Sequence, residues 1–255
     1  MADVALDIGS RLTKVYLGGN ATRKCVFETP PAVQRMKERF DHTSTRAELD
    51  SFLHRVSCAA CLWGSHGCVE VLSSADDSPL FTQYVMRWLS SVSLDRQPML
   101  RDAHSWLLGA HGLTDGCVVD IGYGATRIVP ILCGIPVVEA ITIGRGMRVL
   151  LAPSPEGVVA SLVSTSPPSS PPQLQIPAEE VAQWIIAHVE EAMLLCNSQT
   201  QRPFVCGVFL LSGGGIAVRE LLEGLQSAIQ TSRPYAHVLV FDDSVPMLCA
   251  SVFSR

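Results

Sequence analysis

Two widely separated stretches follow one pattern: an apolar run, an Asp-x-Gly corner and a second run of strand formers. The first spans Val4 to Leu17 and turns at Asp7-Ile8-Gly9-Ser10; the second spans Cys117 to Leu132 and turns at Asp120-Ile121-Gly122-Tyr123-Gly124. Apolar strands flanking a tight glycine turn fold as an antiparallel hairpin. A chain that uses this hairpin twice is expected to build two sheets.

The remaining segments alternate between strand and helix signals. A strand is expected over Lys24 to Glu28. Thr45-Arg46-Ala47-Glu48 forms a capping box, and Leu49, Phe52, Leu53, Val56 and Ala60 follow at helical spacing. Cys68 to Leu72 reads as a strand, and Ser78-Pro79 opens a helix carrying Phe81, Val85, Trp88, Leu89 and Val92. After the second hairpin, Gly134 turns the chain into a strand starting at Pro136. Residues 152–177 are rich in proline and serine and read as a flexible connection. Pro177 then opens a helix with Val181, Trp184, Ile185, His188 and Leu195 on its apolar stripe. The strand Val208 to Leu211 leads through three glycines into a helix with Val218, Leu221, Leu222, Leu225 and Ile229, and His237 to Phe241 is strand-like. The alternation predicts an α/β fold, each half a sheet covered by helices.

Charge narrows the range of partners. Only 17% of the 255 residues are charged, the formal net charge is -5, and no adjacent basic residues run beyond short pairs such as Arg23-Lys24. This leaves no electrostatic footprint for nucleic acid or an anionic membrane. The apolar stretch Ile128 to Ile143 is interrupted by Pro130, Gly134, Pro136 and Glu139, so no membrane-spanning helix is expected. The first residues lack the basic region of a secretory signal. Nine scattered cysteines fit buried thiols in a reducing compartment, so the cytoplasm is expected. A mean hydropathy of +0.27 with so few charges points to surface covered by another protein, in a hetero-oligomer.

Tight glycine turns can aim backbone N–H groups at phosphate oxygens, and an aspartate at the strand end can hold a hydrated Mg²⁺. A third corner, Leu210-Leu211-Ser212-Gly213-Gly214-Gly215, lies between a strand and a helix, where the backbone can approach a nucleotide closely. Taken in order, the three corners resemble the actin family. Asp7 through Lys14 looks like its first phosphate loop, Asp120 through Thr126 its second, and Leu211 through Gly215 its adenosine loop. Val129 to Val137 is similar to the strand pair that follows the second loop, and Val238 to Phe253 to the last strand and C-terminal helix.

The resemblance implies the actin/Hsp70/sugar-kinase-like (ribonuclease H-like) two-half fold, with its outer subdomains reduced. It suggests a first half over residues 1–150, a linker over 151–177 and a remnant second half over 178–255. It also implies ATP or ADP with Mg in a degenerate site. The nucleotide contacts would be Asp7, Gly9, Ser10, Arg11, Lys14, Asp120, Gly122, Gly124, Thr126, Gly213, Gly214 and Gly215, with Asp7 and Asp120 holding the metal. Too little chain lies between Phe27 and Thr45 for the family's polymer-forming loop. The stretch from Thr45 to Gly146 most resembles actin-related proteins of the dynactin type. The implied partners are other actin-related or dynactin-type subunits of the cytoskeleton.

Hydrolysis in this family needs a polar side chain that orients water before the second loop, and the matching position is Ala103. Tyr123 replaces a carboxylate of the second loop, Arg127 replaces a histidine, and Arg11 replaces a small glycine. The expectation is a structural subunit without catalysis; the alternative is a small ATP-dependent kinase or ATPase of the same superfold. Cys58, Cys61, His66 and Cys68 could be drawn as a zinc cluster, but with no second C-x-x-C they read as buried thiols beside a helix end. His104 and His111 are expected on the helix before the second loop as solvated or satisfied side chains. Trp88, Trp106 and Trp184 are expected in the core.

Overall fold

The structure, a computed structural model, describes residues 4–18, 20–40, 46–60, 68–92, 97–151 and 174–241. Thr45 of the capping box, Cys61 and His66 of the drawn zinc cluster, residues 152–173 of the Pro/Ser stretch and the expected C-terminal helix lie outside the described residues. The chain divides into two compact units, with described residues up to Ala110 in the first and those from His111 in the second. The second hairpin therefore groups with the later elements, whereas the sequence suggested a first half running to residue 150.

The first unit contains β1 (Val4–Ile8), β2 (Leu12–Leu17), β3 (Asn20–Glu28), α1 (Pro31–Glu38), α2 (Arg46–Ala59), β4 (Val69–Ser73), α3 (Pro79–Val92), β5 (Met99–Asp102) and α4 (Ala103–Ala110). Its sheet runs β3-β2-β1-β4-β5. β1, β2 and β3 pair antiparallel, and β1, β4 and β5 pair parallel. Leu49, Phe52, Leu53 and Val56 recur at helical spacing on α2 and are buried. At about 1.5–3 kcal/mol per buried side chain, this stripe supplies a gross stabilisation of roughly 6–12 kcal/mol. The sequence reading missed α1, although Pro31 sits at a first-turn position where its lost N–H costs nothing. It also missed β5, a four-residue edge strand. α4 ends at Ala110, so His111 lies beyond the helix expected to carry it.

The second unit contains β6 (Gly116–Ile121), β7 (Ala125–Leu132), β8 (Ile135–Pro136), β9 (Thr142–Arg145), α5 (Met147–Leu150), α6 (Ala178–Leu195), α7 (Arg202–Val205), β10 (Val208–Ser212), α8 (Arg219–Ser232) and β11 (His237–Val240). β11, β10 and β6 run parallel; β7 pairs antiparallel with β6, β8 and β9. The strand expected from Pro136 is only the end of a two-residue bridge, since a short 3-10 turn follows at Val138–Ala140. α6 buries Val181, Ile185, Val189 and Ala192, while Leu195 is 51% exposed. Ten residues beyond Ile185, Leu195 has rotated off the buried face.

The two sheets share one plan. In each, a hairpin (β1-β2 or β6-β7) carries an antiparallel strand outside its second member (β3 or β9). Two parallel strands (β4-β5 or β10-β11) then continue from its first member. The observed fold is thus mixed α/β with two mixed sheets. Among the described residues, no helix is long and apolar enough to cross a membrane.

Candidate functional site

Both Asp-x-Gly corners close in the same register. In the first, Ile8 pairs with Thr13 and Asp7 with Lys14, and the Gly9 N–H donates to Leu12 O at 3.1 Å. In the second, Ile121 pairs with Thr126 and Asp120 with Arg127, and the Gly122 N–H donates to Ala125 O at 3.0 Å. A β-carbon on either glycine would sit 2.5 Å from Leu12 O or 2.7 Å from Ala125 O, so both turns require glycine on steric grounds. Each aspartate therefore has a basic residue directly opposite on the neighbouring strand, where paired β-carbons lie about 5 Å apart.

In the first unit, Thr29 braces the turn. Its hydroxyl donates to Gly9 O at 2.9 Å and lies 2.9 Å from the Thr13 hydroxyl, and its N–H donates to Arg11 O at 2.8 Å. Lys37 on α1 donates to Ile8 O and pairs with Asp77 at 3.2 Å. Ser10 and Lys14 are half-buried beside this braced turn. Asp7, Gly9, Ser10, Arg11 and Lys14 are thus brought together.

In the second unit, Arg127 Nη1 donates to Asp120 Oδ2 at 3.1 Å, with Arg127 only 8% and Asp120 18% exposed. Cys117, Val119, Ile121, Phe209 and Leu211 point into the core beneath α6 and α8. Side chains alternate along strands, so Ser212, Asp120 and Arg127, neighbours in register across β10, β6 and β7, line the opposite face. α5 anchors the turn from behind: its first N–H groups, on Met147 and Arg148, donate to Gly122 O and Tyr123 O at 2.9 Å each. The Thr126 hydroxyl donates to Arg145 O at 2.7 Å. Tyr123 packs against the apolar core, and Gly124 is half-buried at the corner.

The third corner packs onto the second. Gly213 has φ +90°, and a β-carbon there would lie 2.5 Å from Asp120 Oδ1 and 2.6 Å from Ile121 O. A β-carbon on Gly215 would overlap the Ile121 side chain, whereas Gly214 has open space beside it. Ser212, 1% exposed, has a hydroxyl with no hydrogen-bond partner among the described residues. An orphaned buried hydroxyl marks a place where a polar ligand or water would be satisfied. Asp120, Gly122, Gly124, Gly213, Gly214 and Gly215 therefore form one cluster, joined by Ser212 and Arg127, which the sequence reading did not place among the binding residues; Thr126, paired with Ile121, lies on the core face and is not brought into it. The signal for Arg127 was legible: it follows Asp120 by the offset that separates Lys14 from Asp7.

The donor set at Asp120 does not fit a magnesium ion. Oδ2 is held by Arg127, and Oδ1 lies against the Gly213 backbone. A divalent ion 4 Å from the guanidinium would meet a repulsion of about 8 kcal/mol at an effective dielectric of 20. Ala103 is the buried first residue of α4 in the first unit.

The other candidate residues make local contacts. Cys58 contacts His54 at 3.6 Å, and Cys68 faces the carbonyls of Val69 and Gln97. His104 is buried 3.8 Å from Asp102, and His111 packs edge-on to Phe241. Trp106 stacks on Tyr16 and donates to Glu70 at 3.1 Å. Trp88 and Trp184 pack partly buried against the cores of the first and second units. A groove of about 420 Å³ lies away from the glycine corners, lined by Glu190, Leu194, Arg202 and Arg233. Its cations are spent: Arg233 is bidentate on Glu190 at 2.6 and 2.7 Å, and Arg202 donates to the carbonyls of Met193, Leu194 and Cys196. No protein-family model and no curated protein matches the chain.

Proposed function

We propose that the chain is an actin-related structural subunit of a cytoskeletal assembly, with the actin/Hsp70/sugar-kinase-like two-half fold and reduced outer subdomains. On this reading it is non-polymerising, works in the cytoplasm and has a capping or adaptor role in a dynactin-like complex linked to dynein and microtubule transport. It binds an adenine nucleotide without hydrolysing it.

The observation that carries this reading is the repetition of one hairpin, in one register, at the centre of two sheets of the same plan, with the Gly213 corner packed on the second hairpin. Each glycine corner lies at the carboxyl end of a strand, the place where open α/β sheets bind ligands. The orphaned Ser212 hydroxyl beside the cluster supplies a polar contact for a ligand. On the resemblance, Ala103 stands where the family carries the side chain that positions an attacking water, which supports binding without turnover.

Affinity purification of the tagged full chain, with the recovered subunits identified by mass spectrometry, tests the assembly role. Recovery of actin-related and dynactin-type subunits is expected. Long filaments of the purified chain in Mg-ATP, or phosphate release abolished by Asp120→Asn, would overturn the non-polymerising and non-hydrolysing parts of the reading.

A further inference from the structure

We propose that Arg127 takes the place of a divalent cation in the second unit's cluster, so that the phosphates of an adenine nucleotide are held there without Mg²⁺. The inference rests on the nucleotide reading above and adds a cation requirement opposite to the one the sequence suggests.

A lone aspartate beneath a phosphate-cradling turn repels its ligand, and a bound Mg²⁺ ordinarily reverses that charge. Here a compensating positive charge is covalently built in. Arg127 Nη1 sits 3.1 Å from Asp120 Oδ2 and 3.2 Å from the position a β-carbon on Gly122 would occupy, which places the guanidinium directly under the turn. A guanidinium keeps its charge at every physiological pH and carries five donors in a fixed plane. The pair it forms with Asp120 is neutral, so the carboxylate no longer repels phosphate. A metal ion would have to displace a charge-assisted hydrogen bond and then remain beside a fixed positive charge.

The arrangement is enforced from several directions. Register places the two side chains opposite each other on β6 and β7. Gly213 closes over Oδ1, and the Arg127 side chain is buried. Such a buried pair is not easily rearranged to admit an ion, because breaking it would strand a buried charge.

Calorimetric titration of the purified full chain with ATP and with ADP, once in excess Mg²⁺ and once in EDTA, tests the proposal. The wild-type affinities are expected to agree within about threefold, and Arg127→Gln is expected to lose about tenfold or more in EDTA and to recover with Mg²⁺. Wild-type binding about tenfold tighter with Mg²⁺ would overturn this inference while leaving the nucleotide reading intact, as would Arg127→Gln binding unchanged in EDTA. Absence of binding under both conditions would overturn the nucleotide reading and this inference together. Thermal melting reports whether the variant folds; if it does not, the wild-type comparison alone decides.

Discussion

The backbone of Gly213 occupies the space directly beside Asp120 Oδ1: a β-carbon there would approach that oxygen to 2.5 Å. Asp120 lies near the end of β6 and Gly213 directly follows β10, so the two meet because β10 lies in parallel register with β6. Gly213→Ala would combine this overlap with a φ of +90°, which side chains rarely adopt, and a loss of about 3 kcal/mol is expected. Gly214→Ala faces open space and should change stability by less than about 0.5 kcal/mol. Urea denaturation of the two variants checks this; equal losses would contradict the packing of the third corner on the second.

Lys37 and Asp77 form an ion pair with side chains only 8% and 5% exposed. Asp77 also accepts from the Ser74 N–H at 2.9 Å and the Ser73 hydroxyl at 3.3 Å, so the pair ties α1 to the end of β4. Lys37→Met should destabilise the chain by about 3–5 kcal/mol, because it leaves a buried carboxylate without its cation. In a double-mutant cycle with Asp77→Leu, a coupling of about 2 kcal/mol is expected, and a value below about 0.5 would mean that the pair contributes nothing to folding.

Asp102 caps α4 by accepting from the Ser105 N–H at 2.7 Å. Burial works to raise its pKa, but the neighbouring His104 and the Ser105 hydrogen bonds prevail and hold it below the ordinary carboxylate value. A depressed folded-state pKa contributes stability that is present above the unfolded value of about 3.9 and is lost as pH falls through the folded value. The stability gap between wild type and Asp102→Asn should therefore be wide at neutral pH and close in acid. Asp102→Ala should in addition lose the cap, at about 1 kcal/mol. Thermal melts across pH measure both; a gap that widened in acid would contradict the sign of the shift.

Much of the fold was legible in local pattern. The stripe of α2, the proline-led starts of α3 and α6, and both hairpins follow from periodicity and turn chemistry that act within a few residues. What escaped was short: α1, α7, β5 and the two-residue β8 are too brief to impose a period. The expected place of Leu195 failed because a helix face is chosen by what packs on it: Met193 and Cys196 on either side of it enter the core, while Leu195 has rotated off the buried face.

For the candidate site, the sequence by itself determined where the glycine corners fall and that each aspartate is followed, at one offset, by a base. A tight antiparallel turn leaves no other register for those pairs. Only the tertiary structure decided that Gly213 closes on Asp120 and that Ser212 is buried in the same row without a partner. Parallel strands are joined by long connections whose length carries no register information. Their alignment is set by the burial of α6 and α8 against one face of the sheet, a global packing constraint absent from any local stretch of chain.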